Sequence, residues 1–432
     1  MDGVNGNRLE EFRQLRKAIR QSEEHLIVGI DIAKDRHHAF FGTATGKTLL
    51  RRIVFSNDHA GFRKLLDQAE ALRVQHEHGL KKVVYGMEPT ANYHKPLGEY
   101  LIKLGKTVVL VSGVTVARNR ESLDGRWDKH DGKDSANVAD LISQGKCLYY
   151  EHPSAELRGL RGLLSLKRRL KKQEHGYRVR IRNHLIAQYY PEMDRDYERL
   201  GAEGLSVVRW CLAASEIAQL DVDPFIERVT SRRITVEKRR RLEEIWEKAA
   251  GSIGCDGVPG VSHEAKIMVE GLRQIREMIK ETEQKIEELC KAFPEYQYLL
   301  TIPGFGPDVS AKVLGAIGDP DRFQNGKQVL KMGGLDLSAD RSGKDSGRAI
   351  PEISKRGKAD LRYALYQAAL IASFKNRDVM IYYTNKIRGR EREKGIHVKM
   401  RVKLAAKLLV IAWTLMKKRE PFNPVYLKAE LD

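Results

Sequence analysis

Apolar and polar positions along the chain change rhythm twice. The first rhythm is a near-continuous apolar run, Leu26-Ile27-Val28-Gly29-Ile30, closing on Asp31 and continuing through Ile32 and Ala33. Ile27, Val28, Ile30 and Ile32 are β-branched, which favours a strand, and the lack of alternation predicts one buried on both faces. His37–Gly42 and Thr48–Phe55 predict two further strands around the turn Thr43–Lys47. His59–Arg73 has helical spacing at Phe62, Leu65, Leu66, Ala69 and Leu72. Lys82–Met87 then predicts a strand, Tyr93–Leu104 a helix, Thr107–Val111 a strand and Asp131–Gln144 a helix. Before all of these, Met1–Glu24 reads as a polar, weakly helical arm.

The second rhythm is longer and almost wholly helical. Ser154–Gln188 pairs an apolar stripe (Leu157, Leu160, Leu164, Leu170, Tyr177, Ile181, Leu185) with a basic face that includes Arg168, Arg169, Lys171 and Lys172, and Pro191 ends it. Over His263–Lys291, Ala265, Met268, Leu272, Ile275, Ile279, Thr282, Ile286 and Leu289 follow alternating three-four steps, the pattern of a coiled coil. An antiparallel helical pair that also dimerises is the expectation, with a hairpin inside one monomer an equal alternative. Between the two helices, 194–261 reads as a partly helical insertion of unassigned chemistry. Leu300–Pro307 followed by Asp308–Ile317 resembles a helix-hairpin-helix element, in which Gly304 and Gly306 would let backbone N–H groups approach a phosphate. Leu361–Ser373 and Val398–Met416 predict the closing helices. The organisation expected is therefore an arm (1–25), an α/β domain (26–150), a long basic helix (151–193), an insertion (194–261), a coiled-coil helix (262–297) and an all-α C-terminal domain (298–432).

Composition changes the picture in one respect. The 432 residues carry 77 Lys+Arg against 58 Asp+Glu, a formal charge of +19. Residues 1–150 hold 24 basic and 19 acidic side chains, +5, which leaves +14 for the rest. Such an excess fits a polyanionic partner, nucleic acid first. Four scattered cysteines without a C-x-x-C pair argue against zinc and disulfide frameworks and for a reducing cytoplasm. No signal peptide or membrane-length apolar run is read, so no membrane partner is expected. Gly42…Gly46-Lys47-Thr48 imitates a phosphate-binding loop, but the glycines are one residue too close and the segment joins two strands, so a hairpin turn is expected.

The candidate chemistry is acidic. A carboxylate inside a buried strand costs several kcal/mol unless it is paired, hydrogen-bonded or bound to a cation. Taken alone, Asp31 reads equally well as a strand-end cap. Glu88 stands at the exit of the fourth strand, where Pro89 stops pairing. Asp131 and Asp134 are three apart, on one helical face. Three meander strands followed by alternating helices and strands is the element order of the ribonuclease-H-like fold, with the first strand central and the fourth beside it. Four carboxylates from three elements would then converge, and they would repel unless divalent cations neutralised them. All-oxygen ligands suit Mg2+, two ions of which can clamp the attacking and leaving oxygens of a phosphoryl transfer. The bland alternative for Asp131 and Asp134 is a helix N-terminal charge cluster.

Gly29-Ile30-Asp31-Ile32-Ala33-Lys34, Met87-Glu88-Pro89-Thr90-Ala91-Asn92-Tyr93 and Lys129-His130-Asp131-Gly132-Lys133-Asp134-Ser135-Ala136 resemble, in order and spacing, the motif blocks of the DEDD insertion-sequence transposases, the bridge-RNA-guided recombinases with a RuvC-like N-terminal domain. The resemblance spans nearly the whole chain apart from the arm, the insertion and the last dozen residues. It implies a RuvC-like domain holding Mg2+ through Asp31, Glu88, Asp131 and Asp134. It also implies a C-terminal transposase domain in which the serine of a Ser-Gly pair attacks DNA. Ser342-Gly343 matches that pair best, with Ser338 and Ser346 behind it; composition alone makes each an ordinary loop serine. Lys344, Arg348, Lys355 and Arg356 are nearby cations able to bind the scissile phosphate. The resemblance further implies donor and target DNA, a structured non-coding RNA, a homo-oligomer (a dimer assembling to a tetramer), and a bacterial cytoplasmic, nucleoid-associated setting. A metal-dependent junction nuclease using water, and a non-enzymatic nucleic-acid scaffold, are the competing readings.

Overall fold

The computed structural model describes residues 3–75, 80–124, 131–194, 202–230, 234–338 and 352–428. The chain divides into two compact units, Met1–Ser154 and Ala155–Asp432.

The first unit is a six-stranded mixed sheet with helices. Its strands are β1 (His25–Asp31), β2 (Arg36–Thr43), β3 (Thr48–Ser56), β4 (Lys82–Met87), β5 (Thr107–Leu110) and β6 (Leu148–Tyr149). Their order in the sheet is β3-β2-β1-β4-β5-β6. β1, β4 and β5 are parallel neighbours, whereas β1–β2, β2–β3 and β5–β6 are antiparallel. β1 is therefore central, and its residues His25–Ile30 are all buried, as an uninterrupted apolar run requires. The Thr43–Lys47 segment is a hairpin turn: the Thr43 N–H donates to the Lys47 carbonyl (2.9 Å), and Gly46 takes φ = 92°.

The helices are α1 (Gly3–Ala18), α2 (His59–Gln75), α3 (His94–Lys103), α4 (Gly113–Asp124) and α5 (Asp131–Ser143). Two of them depart from expectation. The segment read as a polar arm is α1, and its Phe12 and Leu15, with Ile19 just beyond, are buried in one cluster with Ile27, Val84, Val109 and Cys147. Three apolar residues at i, i+3 and i+7 suffice to seat an otherwise charged helix. α4 lacks a helical signal in its sequence, because Val114, Thr115 and Val116 are β-branched residues of weak helix propensity.

The second unit begins with α6 (Ala155–Arg180), which continues through a π-helical turn, Ile181–Ile186, to Tyr189. Val261–Cys290 returns antiparallel to it, as the paired positions show: Arg180 with Glu264, Glu174 with Arg276, Lys167 with Glu283, and Gly159 beside Leu289. The return helix buries Val261, Ala265, Val269, Leu272, Ile275, Ile279, Thr282, Ile286 and Cys290. This differs from the expected seam at two places, where Val269 and Cys290 replace Met268 and Leu289. A straight helix of 3.6 residues per turn drifts away from a strict seven-residue repeat. Among the described residues, the segment between the two helices holds the short helices Ala202–Trp210, Ala214–Ala218, Val222–Val229 and Val236–Ala249. Their apolar faces share a core with Ile181, Leu185, Tyr190 and Leu272, so the segment 194–261 builds a compact helical cap at one end of the pair.

Among its described residues the remainder is helical apart from a two-stranded antiparallel sheet, Leu337–Ser338 with Glu352–Ile353. Ile396–Lys418 is its central helix: every residue from Leu404 to Ala412 is buried, including Lys407. The alanines Ala364, Ala368, Ala369 and Ala372 of the Ala359–Lys375 helix allow close packing beside it. Among the described residues no helix is long and apolar enough to cross a membrane.

Candidate active site

The carboxyl ends of the parallel strands are where an open α/β sheet offers a crevice. Asp31 is the last residue of β1, and Glu88 directly follows β4. Ile30 and Met87 are register partners, so the two carboxylates leave adjacent strands at the same level, strands that lie about 4.8 Å apart. The next strand turns close by. The Val111 N–H donates to the Met87 carbonyl (3.0 Å), and α4 starts at Gly113. A methyl group on Gly113 would lie 2.6 Å from Glu88 Oε1. Glycine there leaves the carboxylate room beside a helix N-terminus, whose dipole favours negative charge.

α5 supplies the third element. Gly29 and Gly86 are cross-strand partners, and together they form a groove under this helix. A Cβ on Gly29 would lie 2.1 Å from the Ser135 carbonyl oxygen and 2.6 Å from the Ala139 nitrogen; one on Gly86 would lie 2.1 Å from Ile142 Cδ1. The helical turn that carries Asp134 thus rests on β1 two residues before Asp31. Asp134 is only 6% exposed and is paired with Arg120 of α4 at 2.7 Å. Asn119 ties the same two helices, donating to Asn137 Oδ1 and Asp140 Oδ2, both at 2.7 Å, and Asn137 donates to the Val116 carbonyl (2.8 Å). Asp131 is the first residue of α5, and its side chain lies outside the described residues.

The turn that leaves Asp31 is held from below. His37 is fully buried, and its Nδ1 accepts the Ala33 N–H at 3.2 Å. Its ring sits between Phe55 and Phe62, with centroids 5.2 and 6.3 Å away. Burial holds the imidazole below its ordinary pKa, against the opposing hydrogen bond with Asn57. The neutral ring is what Ala33 needs, because only an unprotonated Nδ1 accepts a hydrogen bond.

The donor chemistry of Asp31, Glu88 and Asp134 is all-carboxylate, which fits a hard divalent cation. As placed, no three His, Cys, Asp or Glu side chains among the described residues cluster closely enough to hold an ion, and Arg120 supplies the positive charge at Asp134.

The other expected site residues fall in the second unit. Ser342, Ser346, Lys344 and Arg348 lie within 339–351, outside the described residues, as does the Ser338 side chain. The stem that carries them is described. Ser354 Oγ donates to Asp336 Oδ1, the Ser354 N–H to the Asp336 carbonyl (2.8 Å), and Arg362 Nη1 to the carbonyls of Gly357 (2.8 Å) and Gly333 (3.2 Å). Lys355 and Arg356 are exposed at its foot, and Lys355 is held at φ = 54°, a conformation costly for a side chain with a Cβ.

On α6, Arg168, Arg169, Lys171 and Lys172 are all exposed. Arg168 contacts Asp360 at 3.3 Å, and Lys171 contacts Glu174 at 3.1 Å. Lys167 is the more buried cation, bridging Asp308 (2.6 Å) and Glu283 (2.8 Å); burial opposes its charge, but the two carboxylates outweigh it and raise its pKa. Gly304 takes φ = 83°, and a Cβ there would lie 2.3 Å from the Ala368 carbonyl, so helix packing accounts for this glycine. Gly306 stands open at the start of the Pro307–Ile317 helix. Pairwise ion contacts, Arg120 and the Gly29–Gly86 groove are all invisible in the sequence. Only the glycine two residues before the strand-end Asp31 offers a signal for the groove.

Two family models match the chain: residues 28–191 match one described as a transposase, and residues 296–384 match one described as the transposase of the IS116/IS110/IS902 family. The chain is 24% identical over 414 residues to the insertion element IS116 uncharacterized 44.8 kDa protein of Streptomyces clavuligerus, covering 93% of this chain and 97% of that protein. It is 28% identical over 160 residues to the pilin gene-inverting proteins of Moraxella lacunata and Moraxella bovis, covering 36% of this chain and 48% of each of those.

Proposed function

The chain belongs to the IS110-type insertion-element transposases, which cleave and rejoin DNA, and from that premise we propose how its residues do so. The first unit is a RuvC-like catalytic domain. The observation that carries this is the placement of Asp31 and Glu88 on adjacent parallel strands, with the turn bearing Asp134 seated over Gly29.

Asp31, Glu88, Asp131 and Asp134 would hold two Mg2+ ions. Bound there, the ions supply charge neutralisation at the attacking and leaving oxygens. The carboxylates orient the scissile phosphate, and the ion pair with Arg120 holds Asp134 in place. Ser342 is the nucleophile. Its Oγ forms a bond to phosphorus as the bond to the leaving strand oxygen breaks, the serine proton passes to solvent, and the departing oxygen takes up a proton. The phosphoserine link conserves the energy of the broken bond, so a second strand can attack it and be joined without free ends. Lys344, Arg348, Lys355 and Arg356 counter the phosphate charge. Sequence choice is delegated to a structured RNA pairing with donor and target DNA, consistent with a large basic excess in a chain whose sequence carries no base-reading motif. The working form is an oligomer, a dimer assembling to a tetramer. The pilin gene-inverting relatives carry a name that describes the same kind of strand exchange, an inversion.

The test is a covalent trap. The chain is incubated with labelled DNA bearing the element's ends, its RNA and Mg2+, then denatured and analysed for protein–DNA adducts. An adduct formed by the wild type and abolished in a folded Ser342→Ala variant is the expected result. Cleavage without an adduct in any variant would instead establish a water-using junction nuclease.

A further inference from the structure

Beside the two-stranded sheet of Leu337–Ser338 and Glu352–Ile353, the stem on either side of Ser342 in the chain, lies a half-open cavity of about 310 Å3. Ile353 of the stem and Val402 of the central helix give it an apolar floor. Tyr363 and Tyr366, one turn apart on the Ala359–Lys375 helix, wall it, and Lys355 and Arg362 also line it. Tyr363 is 66% exposed. A lone exposed ring needs no explanation, but this one has company. Phe374 on the same helix is 63% exposed, with the Arg401 guanidinium 5.4 Å over its face, and Val398, one turn before Val402, is 53% exposed.

The charge around the cavity selects its occupant. Lys355, Arg356 and Lys403 are exposed at or next to the lining residues, and Lys399 is exposed one turn before Val402, against the carboxylates Glu352 and Asp360, and Asp360 is already paired with Arg168. An aromatic-walled, apolar-floored slot with cations in and beside its lining matches a flat π-face joined to a phosphate. A base inside a duplex has both faces covered by its neighbours, so only an unstacked base can enter. We propose that this cavity takes one unpaired nucleobase of the DNA strand being cut, stacked on Tyr363, with Lys355 and Arg356 on the adjoining phosphate. The slot then sets how far the strand reaches into the serine loop, and Tyr363 is a positioning residue. The proposal rests on the reading of Ser342 as the DNA-cutting nucleophile.

The experiment uses the full chain and three short single strands of equal length: DNA with one central 2-aminopurine, the same DNA with an abasic centre, and the ribo-oligonucleotide. Wild type is expected to quench the 2-aminopurine and to bind that strand on the order of tenfold more tightly than the abasic one, the value of one stacked base. Tyr363→Ala is expected to lose both effects and Tyr363→Phe to keep them, with far-UV circular dichroism reporting the fold of each. Equal binding of base-bearing and abasic strands by wild type overturns the proposal, as does undiminished discrimination by folded Tyr363→Ala. A Tyr363-dependent preference for the ribo-oligonucleotide overturns the assignment to DNA. The covalent trap separates this from the premise: an adduct without base discrimination removes only the slot, and base discrimination without an adduct removes only the nucleophile.

Discussion

At the scale of single residues, His37 shows how the site edge depends on protonation. The ring is buried and neutral, and its Nδ1 holds the Ala33 N–H just beyond Asp31. Burial lowers the pKa of His25 and His94 in the same unit as well. A histidine whose folded pKa is depressed contributes stability that is fully present above its unfolded value, about 6.5, and is lost as pH falls below that value towards the folded one. Urea unfolding of the first unit is therefore expected to show lower stability at pH 5.5 than at pH 7.5. His37→Gln should flatten part of that slope; a slope identical to wild type would remove His37 from the account. Asp31 and Glu88 were legible because a carboxylate at the end of an apolar run is costly unless it has work or a partner. Arg120 was not, because an arginine in a helix of weak pattern names no partner until the helix is placed.

At the scale of elements, the contact between α5 and the sheet decides where Asp134 goes. Gly29 and Gly86 remove two side chains from the crossing, and the helix backbone takes their room. Gly29→Ala would set a methyl 2.1 Å from the Ser135 carbonyl, and overpacking of this kind costs about 1–3 kcal/mol. Gly306→Ala meets nothing within 4 Å at an ordinary φ of −97°, so its effect should stay within about 0.5 kcal/mol. Urea midpoints of the two variants check the contrast, and equal losses would refute the groove. Strands and long helices were readable here, since their periods of two and 3.6 extend over many residues. α1 reads as no more than a weakly helical polar arm and α4 escapes the reading, for opposite reasons. The first buries Phe12 and Leu15 of a charged helix together with Ile19 just beyond it, and the second opens with β-branched residues that tertiary packing overrides.

At the scale of the whole molecule, the excess charge is a statement about partners. Net +19 on 432 residues predicts strongly salt-dependent association with duplex DNA, because each neutralised phosphate releases a counterion. Contact with about six phosphates should cost on the order of a thousandfold in affinity between 50 and 200 mM salt, read by fluorescence anisotropy. A flat salt response would mean the basic face of α6 does not meet the backbone. Replacing Arg169 and Lys172 with Gln should lower the slope by about two without changing the unfolding midpoint, since both side chains are exposed.

The sequence alone determined the order of the first five strands and the long helices, the acidic blocks and the basic second half, because each is a property of local spacing and composition. It also determined that two long helices would seek partners, since an apolar stripe must be covered. Only the tertiary structure decided which positions of those two helices face each other, that the segment between them caps their end, and that the first helix belongs to the sheet. It alone set Arg120 against Asp134 and left Tyr363 facing solvent beside Val402. Such pairings depend on which surfaces close-pack, and close packing is settled by the shape of every neighbour at once, which no stretch of chain carries by itself.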